Sequence, residues 1–375
     1  MSRTLWHETT SARARFEIGS GILADSGAII TQALAGRPVS SVLFVCDEAV
    51  NAQGSWADQV ASSINGECSR VAIHASEATK SIAQWQSTLE KALAVRLDRD
   101  SVIVAIGGGV ITDLAGFAAA TYMRGIRWVA VPTTLLGMVD AALGGKTGVN
   151  IPLPDGGLGK NLAGAFWPPE AIIADVRTLS TLPARHVRAG LAECLKHALI
   201  ADPGLAAVAA GAAAAATSAE AVDQWKLMDL VSRSAQVKLD IVAKDERETG
   251  LRRHLNLGHT FAHAIEARGC DGLVHGEAVA VGLVAAAAAS VAAGKLRPEQ
   301  AVAIKQMVAS VGLPVVLKEP VSAGSLVDAA ASDKKGSRGT LMLVLPVSGG
   351  GVESVPDSGG ALFRAGVAAV GAGSS

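Results

Sequence analysis

Short apolar runs set off by turn residues mark the first half of the chain, and longer helical periodicities fill the second. Residues 41–46 (Ser-Val-Leu-Phe-Val-Cys) stop at Asp47, residues 70–74 form a second run, and residues 101–106 (Ser-Val-Ile-Val-Ala-Ile) form the clearest one, closed by glycines 107–109. Residues 127–131 stop at Pro132 and residues 171–174 stop at Asp175. Short β-rich runs separated by helical stretches predict parallel strands joined by crossovers. After about residue 180 the pattern changes, and residues 184–200, 218–245, 256–267 and 276–293 read as helices. Thr217 or Ser218 is the expected N-cap of the second of these, with Glu220 and Asp223 in its first turn.

The expected fold class is therefore α/β plus α. A Rossmann-like parallel-sheet domain covers residues 1–180 and a mostly helical domain covers residues 181–375, with a ligand site expected in the cleft that such halves form. Residues 204–216 are almost all Ala, Gly and Val and read as a plain helix or a poorly ordered connection. Residues 340–346 and the following 351–355 read as a small hairpin, and the Gly/Ala-rich tail from 359 to 375 is expected to fray at its end.

Composition narrows the function classes. Half of the 375 residues are hydrophobic, enough for a sizeable core, and the net charge is −1 with Lys and Arg dispersed. No basic stripe of the kind that binds nucleic acid is present. The longest apolar stretch, 278–293, is mostly alanine and falls short of the roughly 18 residues of a spanning segment, so a buried helix is expected and no membrane role. Four cysteines, Cys46, Cys68, Cys194 and Cys270, are widely spaced and form no Cys-x-x-Cys pair; with no apolar signal core at the N-terminus, a reduced cytoplasmic setting is the simplest expectation.

Candidate chemistry gathers in a few short segments. The turn Gly107-Gly108-Gly109 follows a strand and opens a helix with Asp113 in its first turn, so backbone N–H groups could meet a diphosphate there. It lacks the Gly-x-Gly-x-x-Gly spacing. Asp47, at the end of an early strand, suits ribose hydroxyls. His259 and His263 share a helix face at a four-residue spacing and suggest two metal ligands, with Glu193 and His275, each beside small residues, as the best candidates for completing the site. His74, His186, His197 and His254 read as structural and His7 as a surface residue. Lys146, Lys160, Lys196, Lys238, Lys334 and Lys335 lie in glycine-flanked or apolar contexts and suggest a pocket for phosphate and carboxylate groups. The fragment Gly144-Gly-Lys-Thr147 has no spaced upstream glycine and is not a P-loop, which disfavours ATP hydrolysis.

The run 107–165, the segment 182–196, the stretch 238–266 and His275-Gly-Glu-Ala-Val279 closely resemble the 3-dehydroquinate synthase family, a branch of the sugar phosphate cyclases. The pieces Val131-Pro-Thr-Thr-Leu-Leu136 and Asn256-Leu-Gly-His-Thr260 are the most specific, and the match runs from about residue 47 to 346. The resemblance implies zinc, or alternatively cobalt, on Glu193, His259 and His275, with His263 turned to the substrate instead. It implies NAD on Gly108, Gly109 and Asp113, with Asp47, Glu77, Lys80, Thr133, Thr134, Lys146 and Thr178 at further nucleotide positions. A small anionic sugar phosphate, 3-deoxy-D-arabino-heptulosonate 7-phosphate, would meet Asp140, Lys146, Lys160, Asn161, Lys196, Lys238, Arg252, Asn256, His263 and the Asp333-Lys334-Lys335 element. Arg124 would reach the phosphate of a neighbouring subunit, which implies a homodimer. The implied reaction is a transient oxidation by NAD, elimination of phosphate, return of the hydride, and an intramolecular aldol closure.

The sequence departs from the family pattern in a longer loop between Asn150 and Lys160 and in Ala49, where many members carry Asn. The alternatives are another sugar phosphate cyclase, such as an aminodehydroquinate synthase, and more distantly a polyol or iron-type alcohol dehydrogenase. Lys238, Arg252 and Asn256 together favour a substrate with a carboxylate.

Overall fold

A computed structural model describes residues 2–153, 158–217, 223–333 and 340–373. The chain forms two compact units. One comprises Met1–Pro183 and Asp223–Glu246, the other Ala184–Val222 and Arg247–Ser375.

In the first unit the strands are β1 (Ser2–Glu8), β2 (Arg13–Gly19), β3 (Ser41–Asp47), β4 (Glu67–Ile73), β5 (Val102–Gly107), β6 (Arg127–Pro132), β7 (Lys146–Pro152), β8 (Leu158–Phe166) and β9 (Ala171–Asp175). Seven form one sheet in the order β1-β2-β9-β6-β5-β3-β4. All neighbours run parallel except β1 with β2. Parallel strands covered on both faces need unbroken apolar side chains. Phe44, Val104, Ile106, Val129, Val131 and Ile173 supply them in one buried cluster that also takes in Trp56. The five expected strands are all present.

The antiparallel pair β1–β2 is absent from the sequence reading, because its polar residues obscure the alternation. It corrects the placement of His7, which is 1% exposed and whose Nε2 accepts the Gly144 N–H at 3.1 Å. The hairpin β7–β8 forms a separate two-stranded sheet. It lies on the helix Gly109–Thr121, where a Cβ on Gly116 would come within 2.4 Å of Thr147 Cγ2.

The helix expected over 218–245 runs Gln224–Lys244. Its N-cap is Asp223, whose carboxylate accepts the Trp225 N–H at 2.9 Å, instead of Thr217 or Ser218. It packs on β1 and on the one-turn helix Gly137–Ala141 and so belongs to the first unit, although the sequence assigned it to the helical half. The other seam lies between Pro183 and Ala184.

The second unit is helical, with a hairpin of β10 (Thr340–Pro346) and β11 (Val352–Ser358). Its central helix, His275–Ala292, is apolar on every side, as a helix enclosed by others must be. By length and composition it is the one helix among the described residues that could cross a membrane, but most of it is buried within the unit. The alanine-rich segment is a helix, Leu205–Thr217. Among the described residues the tail is folded, and its last two residues lie outside them. Ala361–Ala369 is helical, Phe363 stacks on Phe261 with ring centres 4.7 Å apart, and the Gly373 N–H reaches Val321 O at 2.9 Å.

Candidate metal centre and cofactor turn

Three helices of the second unit carry one acidic and two imidazole side chains to a single point. Glu193 lies in Ala184–Ile200, His259 opens His259–Ala267 and His275 opens His275–Ala292. Glycines allow the approach. A Cβ on Gly276 would lie 2.0 Å from Ala189 O, and one on Gly282 would lie 2.2 Å from Gly258 O. Gly258 itself, at φ +78°, takes the left-handed conformation that starts the His259 helix.

Glu193 is fully buried, and its Oε1 lies 3.6 Å from both His259 Nε2 and His275 Nε2. That spacing is too long for hydrogen bonds. It suits one shared ion, since bonds of about 2.0–2.1 Å in a tetrahedral shell separate neighbouring donors by roughly 3.3–3.4 Å. Both far ring nitrogens are engaged, His259 Nδ1 with Leu257 O at 3.2 Å and His275 Nδ1 with Glu266 Oε1 at 3.1 Å. Such partners turn Nε2 inward and fix the ring plane. All three donor atoms lie within 4.8 Å of one another. Three protein donors is the number that a catalytic ion uses. The residues therefore fit a divalent metal.

The electrostatics of the centre are uneven. Burial, aided by Lys196, pulls His259 down to about 3. Burial acts the same way on His275, but its contacts with Glu193 and Glu266 outweigh it and hold the ring at about 10. Lys196 Nζ, also buried, lies 2.5 Å from Glu193 Oε2 and balances the carboxylate. His263 lies one turn after His259, with its ring centre 5.7 Å from that of His259 and 6.4 Å from that of His275. The closest triad is thus Glu193, His259 and His275, with His263 beside it. Arg252 is buried in the turn Leu251–Asn256, and Asn256 Nδ2 donates to Glu248 Oε1 at 2.6 Å. Lys334 and Lys335 lie outside the described residues.

In the first unit β5 ends at Gly107, and Gly108 caps the helix that follows. None of the three glycines has a positive φ. Close approach is what requires them: a Cβ would lie 2.7 Å from Ile111 Cγ1 at Gly107, 3.1 Å from Thr134 Cγ2 at Gly108 and 3.0 Å from Ala141 Cβ at Gly109. Lys80 pairs with Asp113, whose carboxyl is raised by burial against the opposing pull of Lys80. Thr133 N–H donates to Gly107 O at 2.9 Å, and Thr134 Oγ1 accepts the Gly137 N–H at 3.0 Å. Asp47 ends β3 and caps the next helix through the Ala49 N–H at 3.0 Å. Thr178 is buried and its hydroxyl donates to Asp175 O at 2.8 Å.

Lys238 Nζ, on the helix Gln224–Lys244, reaches both the carbonyl and Oδ1 of Asp140 at 2.6 Å. Lys146 and Lys160 are exposed on the hairpin, and Asn161 sits beside them at φ +54°. Arg124 is exposed in a tight turn where both Met123 and Arg124 have positive φ.

Sequence reasoning missed Glu248, Glu266 and Asn150. Glu266 was detectable, since with His259 and His263 it completes one helix face. No local pattern marks Asn150 or Glu248.

A parallel-sheet unit with a glycine turn and a helical unit with a Glu/His/His centre are the parts of an NAD- and metal-dependent enzyme. Among solved structures, a 2-epi-5-epi-valiolone synthase from Streptomyces hygroscopicus subsp. jinggangensis 5008 with NAD+ and Zn2+ bound is similar, at a TM-score of 0.81 and 27% identity over 96% of this chain and 97% of that one. A probable glycerol dehydrogenase from Sinorhizobium meliloti 1021 shares the fold alone, at a TM-score of 0.63 and 15% identity over 95% of each chain. Models of the 3-dehydroquinate synthase N-terminal and C-terminal domains match residues 70–189 and 190–336. A 3-dehydroquinate synthase from Shouchella clausii is 41% identical over 90% of both chains, and one from Xylella fastidiosa (strain M23) is 44% identical over 77% of this chain and 78% of its own. The chain belongs to the 3-dehydroquinate synthase family.

Proposed function

We propose that the protein converts 3-deoxy-D-arabino-heptulosonate 7-phosphate into 3-dehydroquinate and inorganic phosphate, in the shikimate pathway to the aromatic amino acids. The observation that carries the reading is the Glu193–His259–His275 centre, on a chain 41–44% identical to 3-dehydroquinate synthases. When bound, NAD+ supplies a reversible hydride acceptor and the divalent ion, zinc or cobalt, a Lewis acid.

The side chains supply binding and charge. Glu193, His259 and His275 hold the ion, and Lys196 keeps a positive charge at its edge. Gly108, Gly109, Thr133 and Thr134 leave room for the dinucleotide beside the helix N-terminus, whose N–H groups suit its diphosphate. Asp47, Glu77, the Lys80–Asp113 pair, Lys146 and Thr178 complete that region. Lys238, held by Asp140, is a substrate-binding cation of the first unit, Arg252 and Asn256 are the carboxylate-binding groups of the second, and His263 faces a ring hydroxyl. Lys146, Lys160 and Asn161 bind the phosphate. Arg124, displayed on its tight turn, contacts the phosphate held by a partner subunit in a homodimer. The departing phosphate takes the proton with its own oxygen, so no side chain has to act as base at that step. The compartment is the cytoplasm, in keeping with four cysteines that form no disulfide.

The test is incubation with the heptulosonate phosphate, NAD+ and Zn2+, followed by product identification. Phosphate and 3-dehydroquinate should appear in equal amounts without NADH accumulating. Net NADH formation from simple polyols would instead place the protein with the dehydrogenases.

A further inference from the structure

The hairpin β7–β8 is irregular at one place. Val149 pairs with Ala163 but Ile151 pairs with Gly159, so residues 160–162 lie opposite the single residue Asn150. A bulge of this kind re-aims the side chains it carries. Here they are Lys160, Asn161 and Leu162.

Asn150 is 1% exposed and its polar atoms are committed. Its backbone N–H donates to Lys80 O at 2.8 Å. Its Nδ2 donates to Glu77 O at 3.0 Å and to Glu77 Oε2 at 2.9 Å. Its Oδ1 accepts the Asn161 N–H at 2.9 Å, where Asn161 has φ +54°. Two oxygens on one side and an N–H on the other leave a single orientation for the amide. The residue thus ties the segment bearing Glu77 and Lys80, and through Lys80 the Asp113 carboxylate, to the bulge bearing Lys160 and Asn161.

We propose that Asn150 is a positioning residue that sets cofactor-side Glu77 and Lys80 and substrate-side Lys160 and Asn161 in one register, so that a single amide governs affinity for both NAD+ and the sugar phosphate. The proposal rests on the functional reading above. An isosteric change separates the two arms. Asn150→Asp keeps the oxygen that receives Asn161 but sets a carboxylate against the Glu77 carboxylate and carbonyl. Asn150→Ala removes both arms.

The experiment measures NAD+ binding by calorimetry, steady-state constants and thermal unfolding on the full chain with Zn2+. Wild-type binding of NAD+ is established first, and its absence would overturn the functional reading, not this one. Asn150→Asp should weaken NAD+ binding about tenfold and leave the sugar phosphate KM within about twofold. Asn150→Ala should raise both constants about tenfold. Adding Glu77→Gln to Asn150→Asp should bring NAD+ affinity back to that of Glu77→Gln alone. Should Asn150→Ala not fold, the Asn150→Asp and Glu77→Gln pair still decides the matter. Unaltered constants in a folded variant, or equal losses in both constants for Asn150→Asp with no rescue, would overturn the assignment and leave Asn150 a purely structural residue.

Discussion

Gly276 meets the backbone of Ala189 so closely that its missing Cβ would stand 2.0 Å from the Ala189 carbonyl oxygen. The contact lies one residue after His275 and four before Glu193, so the distance between two helices is fixed where both present a donor. Gly276→Ala has to push the helices apart. Overpacking of this kind costs on the order of 1–3 kcal/mol. A lower melting temperature and weaker zinc retention on dialysis are expected together; a variant with wild-type zinc content would show that the close contact is not what sets the donor spacing.

His275→Ala removes one of three donors. Metal content measured by elemental analysis should fall to background in the purified variant, and turnover with it. Full activity in a chelator-stripped His275→Ala sample would remove this residue from the centre.

Glu266 does not face the donor cluster's shared point, yet it holds His275 Nδ1 at 3.1 Å. Glu266→Gln should lower zinc affinity by about 10–100-fold while the fold persists, because outer partners of ligating imidazoles carry effects of that size. A competition titration with a colorimetric chelator reads the change, and an unchanged affinity would mean that the carboxylate does not tune the ring.

Lys238 donates to both the carbonyl and the carboxylate of Asp140 at 2.6 Å. Lys238→Met should cut kcat/KM by about two orders of magnitude and cost on the order of 3 kcal/mol of stability, the scale of breaking a buried pair. Chemical denaturation separates the two effects. A loss of stability with normal kcat/KM would make the pair structural only.

Arg124→Ala and Lys146→Ala chains should each be nearly inactive. If each site of a dimer draws Arg124 from one subunit and Lys146 from the other, random mixing restores roughly a quarter of wild-type activity, because half of the dimers then carry one intact site. Mixed samples no more active than their components would argue against a shared site.

Much of the architecture was legible because it follows from burial. A strand enclosed on both faces, such as Val102–Gly107, cannot conceal its apolar run, and the helix Ala184–Ile200 shows its bounds plainly. The β1–β2 pair was illegible because its charged residues are tied by contacts remote in sequence, such as Arg3 with Asp229 at 3.1 Å. His7 was misread for the same reason. At the site, local spacing favoured His259 with His263; only the packing of three helices puts His275 and Glu193 within reach of His259. Asn150 was invisible because its importance lies in a bulge, a property of pairing and not of composition.

The first unit is interrupted in sequence, and this bears on how it can be made. The helix Gln224–Lys244, which covers β1 and brings Lys238 to Asp140, is translated after the whole of Ala184–Val222. A growing chain therefore cannot finish its nucleotide half until residue 246 has left the ribosome, by which time the helix bearing Glu193 of the other half is already waiting outside. A gene cut after Pro183 would yield a sheet lacking one of its walls, so separate expression of the halves calls for a circular permutation or for co-expression of the missing helix.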